Sequence, residues 1–300
     1  MPDTVSIRDV GPRDGLQPER PLAPADRVRL VEALVAAGVR RIEAAAFVSP
    51  KAVPAMAGAS EVMAAVPRIA GLRYAALVPN ARGASMALDC GVDELTVTIS
   101  LSETYNRRNV NMSIAESLAE IDRICAEAGD VPVDAVLSCA FGSPYEGETP
   151  PEDVRGLATR LREAGCAEVT CADTTGMATP RGIVEVVEAV GNDIGVHLHE
   201  TRGTGLVCAY AALLLGVSRF DTSVGGLGGS PFAAGAAGNL ATEGLVAMLD
   251  DMGVHTGIDV EALIVAAALA SELVGRDLPS PVASAGPRTR LATNPGGAGR

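Results

Sequence analysis

The eight residues AAGVRRIE, at positions 36–43, carry a complete junction between a helix and a strand. A helical stretch over 25–37 places Val28, Val31 and Val35 on one face. Gly38 closes it as a C-cap. A short polar pair follows, and then a run of strand character begins. The same phrase recurs as DCGVDELTV (89–97), EAGCAEVT (163–170) and LLGVSRFD (214–221). Working outward from these junctions, strands are predicted at 5–10, 40–47, 74–78, 93–99, 133–141, 167–173, 194–200 and 220–226. Helical periods run over 25–37, 81–90, 113–128, 151–164, 180–190 and 204–215, each closed by a glycine. The 113–128 helix opens with SIAE, a capping-box pattern. Eight strands alternating with helices through parallel connections predict an α/β fold, a closed (β/α)8 TIM barrel. An open doubly wound sheet ranks second, because GPRDG rather than GxGxxG follows the first strand. An extra C-terminal helix over 259–274 is expected on the outside of the barrel. Residues 1–275 are read as a single catalytic domain and 276–300 as a flexible tail.

Composition narrows the function. The chain has 300 residues, 48% of them apolar and 20% charged, enough for a large core. No apolar run reaches the ~20 residues of a membrane span, so no membrane partner is expected. The opening MPDTVSIRDV has no basic segment followed by an apolar one, and a cytoplasmic location is expected. Net charge is −13 and Lys51 is the only lysine, which argues against a nucleic-acid partner. The six cysteines form no CxxC pair, so reduced and mostly buried thiols are expected.

In a barrel of this kind the chemistry lies at the C-terminal ends of the strands. Two of the three histidines form HLH, His197–Leu198–His199. Positions i and i+2 of a strand share a face, so both imidazoles should enter the barrel, with Leu198 towards the helices. They are half of a divalent-metal site or, in the bland alternative, a hydrogen-bonded interior pair. RDVGPRDGLQ (8–17) leaves the first strand and offers Asp14 as an oxygen ligand and Arg13 as a fixed cation; alone, the two could be a loop salt bridge. Glu43 and Asp173 are acids in apolar strands that could orient these groups or act as bases. After the eighth strand comes GGLGGSPFAAGAAGNLATEG (225–244), where Gly226, Gly228 and Gly229 would let the backbone approach a substrate. Ser230 lies among them, and Asn239 offers a carbonyl oxygen or a helix N-cap. Asp14, His197, His199 and Asn239 would supply two oxygens and two nitrogens, a set suited to Mg2+ or Mn2+ at least as well as to Zn2+.

GPRDGLQ (11–17), FVSPK (47–51), SCAFGSPYEG (138–147), DTTG (173–176), HLHET (197–201) and GLGGSPFAAGAAGNLATE (226–243) together resemble the 3-hydroxy-3-methylglutaryl-CoA lyase family, part of the metal-dependent lyase and synthase barrels. The resemblance runs from about Val5 to Gly275. It implies retro-Claisen cleavage of an acyl-CoA substrate to acetyl-CoA and a keto acid such as acetoacetate. It implies a divalent cation on Asp14, His197, His199 and Asn239, with Arg13 stabilising the thioester enolate. Glu43 and Asp173 match positions close to the metal and Arg13, and Glu243 matches an acid near the glycine loop. Three departures stand out. Ser230 replaces a cysteine credited with proton transfer, and an alcohol ionises far less readily than a thiol. Ala44–Ala45–Ala46 replaces hydroxyl residues, and Glu200–Thr201–Arg202–Gly203–Thr204 replaces Asp-Thr-Tyr-Gly-Gln. The alternatives are a citramalyl-CoA or other branched 3-hydroxyacyl-CoA lyase, a 2-oxo acid aldolase or condensing enzyme, and a non-catalytic acyl-CoA-binding homologue. Arg82, Arg107 and Arg108 are candidates for the CoA phosphates by position, and a homodimer is the expected assembly.

Overall fold

The computed structural model describes residues 1–229 and 238–290; residues 230–237, Ser230 among them, and 291–300 lie outside the described residues. Eight parallel strands close on one another: β1 (Ser6–Asp9), β2 (Arg41–Ala46), β3 (Arg73–Leu77), β4 (Glu94–Ser100), β5 (Val133–Ser138), β6 (Glu168–Ala172), β7 (Gly195–His197) and β8 (Arg219–Thr222). Pairing of β1 with β8, from Ser6 opposite Arg219 to Asp9 opposite Thr222, completes the barrel and excludes the open sheet. The helices are α1 (Pro24–Ala36), α2 (Ala59–Ala65), α3 (Ala81–Asp89), α4 (Glu103–Val110), α5 (Ile114–Ala128), α6 (Pro151–Glu163), α7 (Pro180–Val190), α8 (Gly205–Leu214), α9 (Thr242–Asp251), α10 (Val260–Val274) and α11 (Pro281–Ala285).

The opening junction works as its sequence suggests. Gly38 leaves α1 at φ +98°, and a Cβ there would lie 2.6 Å from the Gly257 carbonyl oxygen. Only glycine meets both conditions without strain. The Ser113–Glu116 capping box at the start of α5 has both of its hydrogen bonds. Strand residues such as Ile42, Tyr74, Leu95, Leu137 and Val196 are fully buried, because lumen and helices cover both faces of the sheet.

Several strands stop earlier than their apolar runs. Cys139 adopts φ +59°, which ends β5. His199 lies beyond β7 and instead makes an antiparallel bridge with Asn239. Gly11–Gly15 winds into a single π-helical turn directly after β1. Helix α4 has no apolar period to announce it; the Ser102 hydroxyl caps it by accepting from the Tyr105 N–H at 3.0 Å.

The segment after residue 275 departs from a flexible tail over its described part. Leu278 packs over Gly225, where a Cβ would lie 2.3 Å from the leucine Cδ1. Ser280 is buried and its hydroxyl caps α11. Arg276 pairs with Glu19 at 2.5 Å and Arg288 with Asp251 at 2.7 Å. Five helical residues are too few to show a period, so this tethering was illegible in the sequence. No helix among the described residues is long and apolar enough to cross a membrane.

Candidate active site at the C-terminal mouth of the barrel

The turn after β1 delivers Arg13 and Asp14 together. Arg13 donates from Nε to Glu43 Oε2 at 2.5 Å and from Nη1 to Asp14 Oδ1 at 2.9 Å. Glu43 reaches it from β2, beside a register shift between Glu43 and Ala45 that re-aims the strand. Burial works against the Arg13 charge, but Glu43 and Asp14 more than offset it and hold the guanidinium's pKa above its ordinary value. Burial would likewise raise Asp14, yet Arg13 and the two imidazoles hold it below the usual carboxylate range.

His197 and His199 present their Nε2 atoms to each other at 3.2 Å. Leu198, between them, is buried on the opposite side, as the i, i+2 rule requires. His197 Nδ1 lies 3.2 Å from Asp221 Oδ2, so the carboxylate accepts a hydrogen bond from Nδ1–H and leaves the Nε2 lone pair of the neutral ring facing the mouth. Asp221 is in turn gripped by Arg8, whose Nε and Nη2 each lie 2.8 Å from a carboxylate oxygen. Arg8 Nη2 also pairs with Asp134 at 2.7 Å. Despite burial, Arg8 and His197 keep Asp221 well below the usual carboxylate range. Burial disfavours the His197 cation, but Asp221 outweighs it and raises the imidazole pKa.

Asn239 completes the group from the strand-eight side. Its Nδ2 donates to Asp14 Oδ2 at 2.8 Å and to the Leu227 carbonyl at 2.9 Å. Its Oδ1 is buried without a hydrogen-bond partner among the described residues. The alternative N-cap reading does not hold: α9 begins at Thr242 with Ala241 as its N-cap, two residues beyond Asn239. Gly228 is explained by this side chain, because a Cβ there would lie 2.5 Å from Asn239 Nδ2. Donor atoms of Asp14, His197 and His199 lie within 4.8 Å of one another. A divalent cation fits this set on two observations. The imidazole nitrogens are spaced like neighbouring ligands held at about 2.0–2.1 Å from one ion, and the orphaned amide oxygen of Asn239 otherwise has an uncompensated burial cost.

A cavity of about 110 Å³ opens here, lined by Arg13, Asp14, His197 and His199 on one side and by Leu77, Thr98, Val136 and Ser138 on the other. Gly229 also lines it, while Gly226, at φ +72°, lies against the Asn239 carbonyl. Asp173 lies at the end of β6, and its N–H donates to the His197 carbonyl at 2.8 Å. Its Oδ1 accepts from the N–H groups of Met177 (2.6 Å) and Ala178 (2.9 Å). Burial raises this carboxyl to about 7 against the pull of those donors. Glu243 is buried beneath the glycine loop, where both its oxygens accept from the Gly225 N–H at 3.1 Å. It supports the loop rather than lining the cavity.

Other sequence candidates are placed elsewhere. Arg202 does not face the cavity but donates to the carbonyls of Thr175 (3.2 Å) and Gly176 (2.6 Å). Arg107 pairs with Glu103 at 2.8 Å, and Arg108 stacks on Tyr145 at 4.6 Å. Arg82 lines a separate cavity near Phe47 and Asn80. Sequence reasoning missed Asp221, Arg8 and Asp134. The available signal was register: in the closed barrel Asp221 is paired with His197 across β7–β8 and with Arg8 across β1–β8.

Fold and site together define an α/β barrel whose C-terminal mouth gathers a mixed oxygen–nitrogen group that could hold a cation. Residues 4–270 match the HMGL-like family model. The chain belongs to that family. It is 41% identical over 293 residues to the 3-hydroxy-3-isohexenylglutaryl-CoA/hydroxymethylglutaryl-CoA lyase of Pseudomonas aeruginosa, covering 95% of this chain and 98% of that one. It is 42% identical over 287 residues to the Bacillus subtilis hydroxymethylglutaryl-CoA lyase YngG, with coverage of 93% and 96%. The structure of an HMG-CoA lyase from Acinetobacter baumannii in complex with coenzyme A and 3-methylmalate superposes with a TM-score of 0.91 at 38% identity, covering 96% of this chain and 97% of that one.

Proposed function

We propose that this chain is a divalent-metal-dependent carbon–carbon lyase that cleaves 3-hydroxy-3-methylglutaryl-CoA, or a close branched analogue, to acetyl-CoA and acetoacetate or a related keto acid. The observation that carries the reading is the buried Asn239 Oδ1, left without a partner among the described residues beside Asp14, His197 and His199. These four residues would hold Mg2+ or Mn2+, with Zn2+ less suited to so much oxygen. Such a cation, when bound, lowers the pKa of a substrate hydroxyl and fixes its geometry.

The chain's own residues account for the other requirements. Cleavage takes the proton from the C3 hydroxyl, turns C3 into a ketone, and passes the electron pair of the C2–C3 bond to the thioester as an enolate, which takes up one proton at C2 to give acetyl-CoA. Arg13 is held by Glu43 and Asp14 before substrate arrives, so its charge meets the developing enolate oxygen without reorganisation. Asp173, raised to about 7, can hold a proton on the oxygen not committed to Met177 and Ala178. Ser230, the counterpart of a proton-carrying thiol, lies outside the described residues. Glu243 and the glycines would shape the loop that covers the substrate.

All six cysteines are free, as suits a reducing compartment such as the cytoplasm. A homodimer has an available surface in the exposed apolar row Val207, Tyr210 and Leu214 on α8. A panel of 3-hydroxyacyl-CoA thioesters assayed with Mg2+ or Mn2+ tests the activity. Acetyl-CoA release from hydroxymethylglutaryl-CoA, at a turnover on the order of 1–100 per second, is expected. Release from none of the thioesters would overturn the reading, and activity on free 2-oxo acids without CoA would replace it with aldol chemistry.

A further inference from the structure

Two of the six thiols face each other far from the candidate site. Cys125, in the penultimate turn of α5, places its Sγ 3.7 Å from that of Cys166, which leads into β6. The two are 41 residues apart in sequence. We propose that Cys125 and Cys166 are an oxidisable dithiol that closes to a disulfide when the protein meets a hydroperoxide.

Packing at this junction favours closure. Gly165 brings the α6–β6 turn close against α5: a Cβ there would be in ordinary contact with the Cys125 Cβ, at 3.7 Å. Arg160 of α6 grips both oxygens of Asp122 at 2.9 and 2.7 Å, one turn before Cys125, and holds α5 against the α6–β6 turn. The sulfurs must close from 3.7 Å to the ~2.05 Å of a bond, a shift side-chain rotation can supply. Roles divide by exposure. Cys125 is half-buried and reachable from solvent, whereas Cys166 is buried. A hydrogen bond donated by the Cys166 thiol lowers the Cys125 pKa, and the same bond with burial raises Cys166.

The chemistry follows from these roles. The Cys125 thiolate attacks one peroxide oxygen; the O–O bond breaks, hydroxide leaves, and Cys125 becomes a sulfenic acid. Cys166 sulfur then attacks the sulfenyl sulfur. The S–S bond forms, the S–O bond breaks, and the departing hydroxide takes the Cys166 proton as water. Two thiols lose two electrons in all, and the peroxide is reduced to two waters. Cys166 precedes β6 at the N-terminal end of the barrel, the end that serves stability rather than catalysis. The cross-link therefore acts as a stabilising staple between α5 and β6.

Peptide mapping of the whole protein under non-reducing conditions, after hydrogen peroxide treatment, decides the matter. The expected result is one cross-linked species joining Cys125 to Cys166 and an intact mass lower by about 2 Da, reversed by a dithiol reductant. A rise in Tm of about 5 °C should accompany it. C125S should abolish both changes, and C166S serves as the second variant. The wild-type map alone decides the pairing if either variant folds poorly. Free thiols at both positions, a sulfinic acid at Cys125 without a cross-link, or a disulfide to any other cysteine would overturn the proposal.

Discussion

Asp221 lines the cavity behind His197 and fixes that ring. Its Oδ2 lies 3.2 Å from Nδ1 while Arg8 holds both carboxylate oxygens, so neither ring tautomer nor ring angle is left to chance. Asp221→Asn should weaken Mn2+ affinity about 10–100-fold with the fold intact, read by titration calorimetry. An unchanged affinity would mean that His197 needs no such partner. Much of the mouth was legible residue by residue. HLH declared itself because strand geometry leaves two imidazoles on one face, and Arg13–Asp14 because they follow the first strand directly. Asp221 was hidden, because one acid in FDTSVGG gains meaning only when β8 is laid beside β7. Asn239 was legible for its carbonyl oxygen, with a helix N-cap as the alternative, because Asn before a helical run suits both roles.

At the scale of elements, the helix–glycine–strand junction sets the period of the barrel, and its glycines differ in what they do. Gly38 (φ +98°) has the Gly257 carbonyl where a side chain would go, whereas Gly191 (φ +93°) has nothing within 4 Å. Gly38→Ala should cost about 2–3 kcal/mol and lower Tm by about 5 °C, while Gly191→Ala should cost only its backbone strain, roughly 1 kcal/mol. Equal losses would show that the Gly257 contact carries no weight. The long periodic elements were readable for the same reason: each combines an apolar face with a glycine stop. The π-helical turn at Gly11–Gly15, helix α4 and the tether of Leu278 and Ser280 were not. They depend on caps and contacts with distant residues rather than on any local period.

For the molecule as a whole, closure of the barrel buries charge as well as apolar surface. Asp9 at the end of β1 is fully buried, accepting from Thr242 Oγ1 at 2.6 Å and from the Gly11 N–H at 2.8 Å. Burial raises its pKa to about 7, against ~3.9 in the unfolded chain. The stability held by the protonated form is therefore complete below about pH 4 and is lost as pH rises through about 7. Asp9→Asn removes this titration. The variant should gain on the wild type by roughly 2–3 kcal/mol between pH 5 and pH 8, read as a growing Tm difference. A difference that stays constant or shrinks would contradict the buried, proton-binding Asp9.

The same closure brings β1, β7 and β8 together, and with them Asp14 and the two histidines, while Asn239 follows β8. In the proposed function this convergence holds a divalent cation for cleavage of a branched 3-hydroxyacyl-CoA. The most direct measurement is acetyl-CoA release from hydroxymethylglutaryl-CoA before chelation, after exhaustive chelation, and after Mn2+ is restored, for the wild type and for His197→Ala. The account predicts loss of at least about 100-fold on chelation, full recovery in the wild type, and no recovery in His197→Ala. Release that survives chelation, or that Mn2+ restores equally in both proteins, would contradict it.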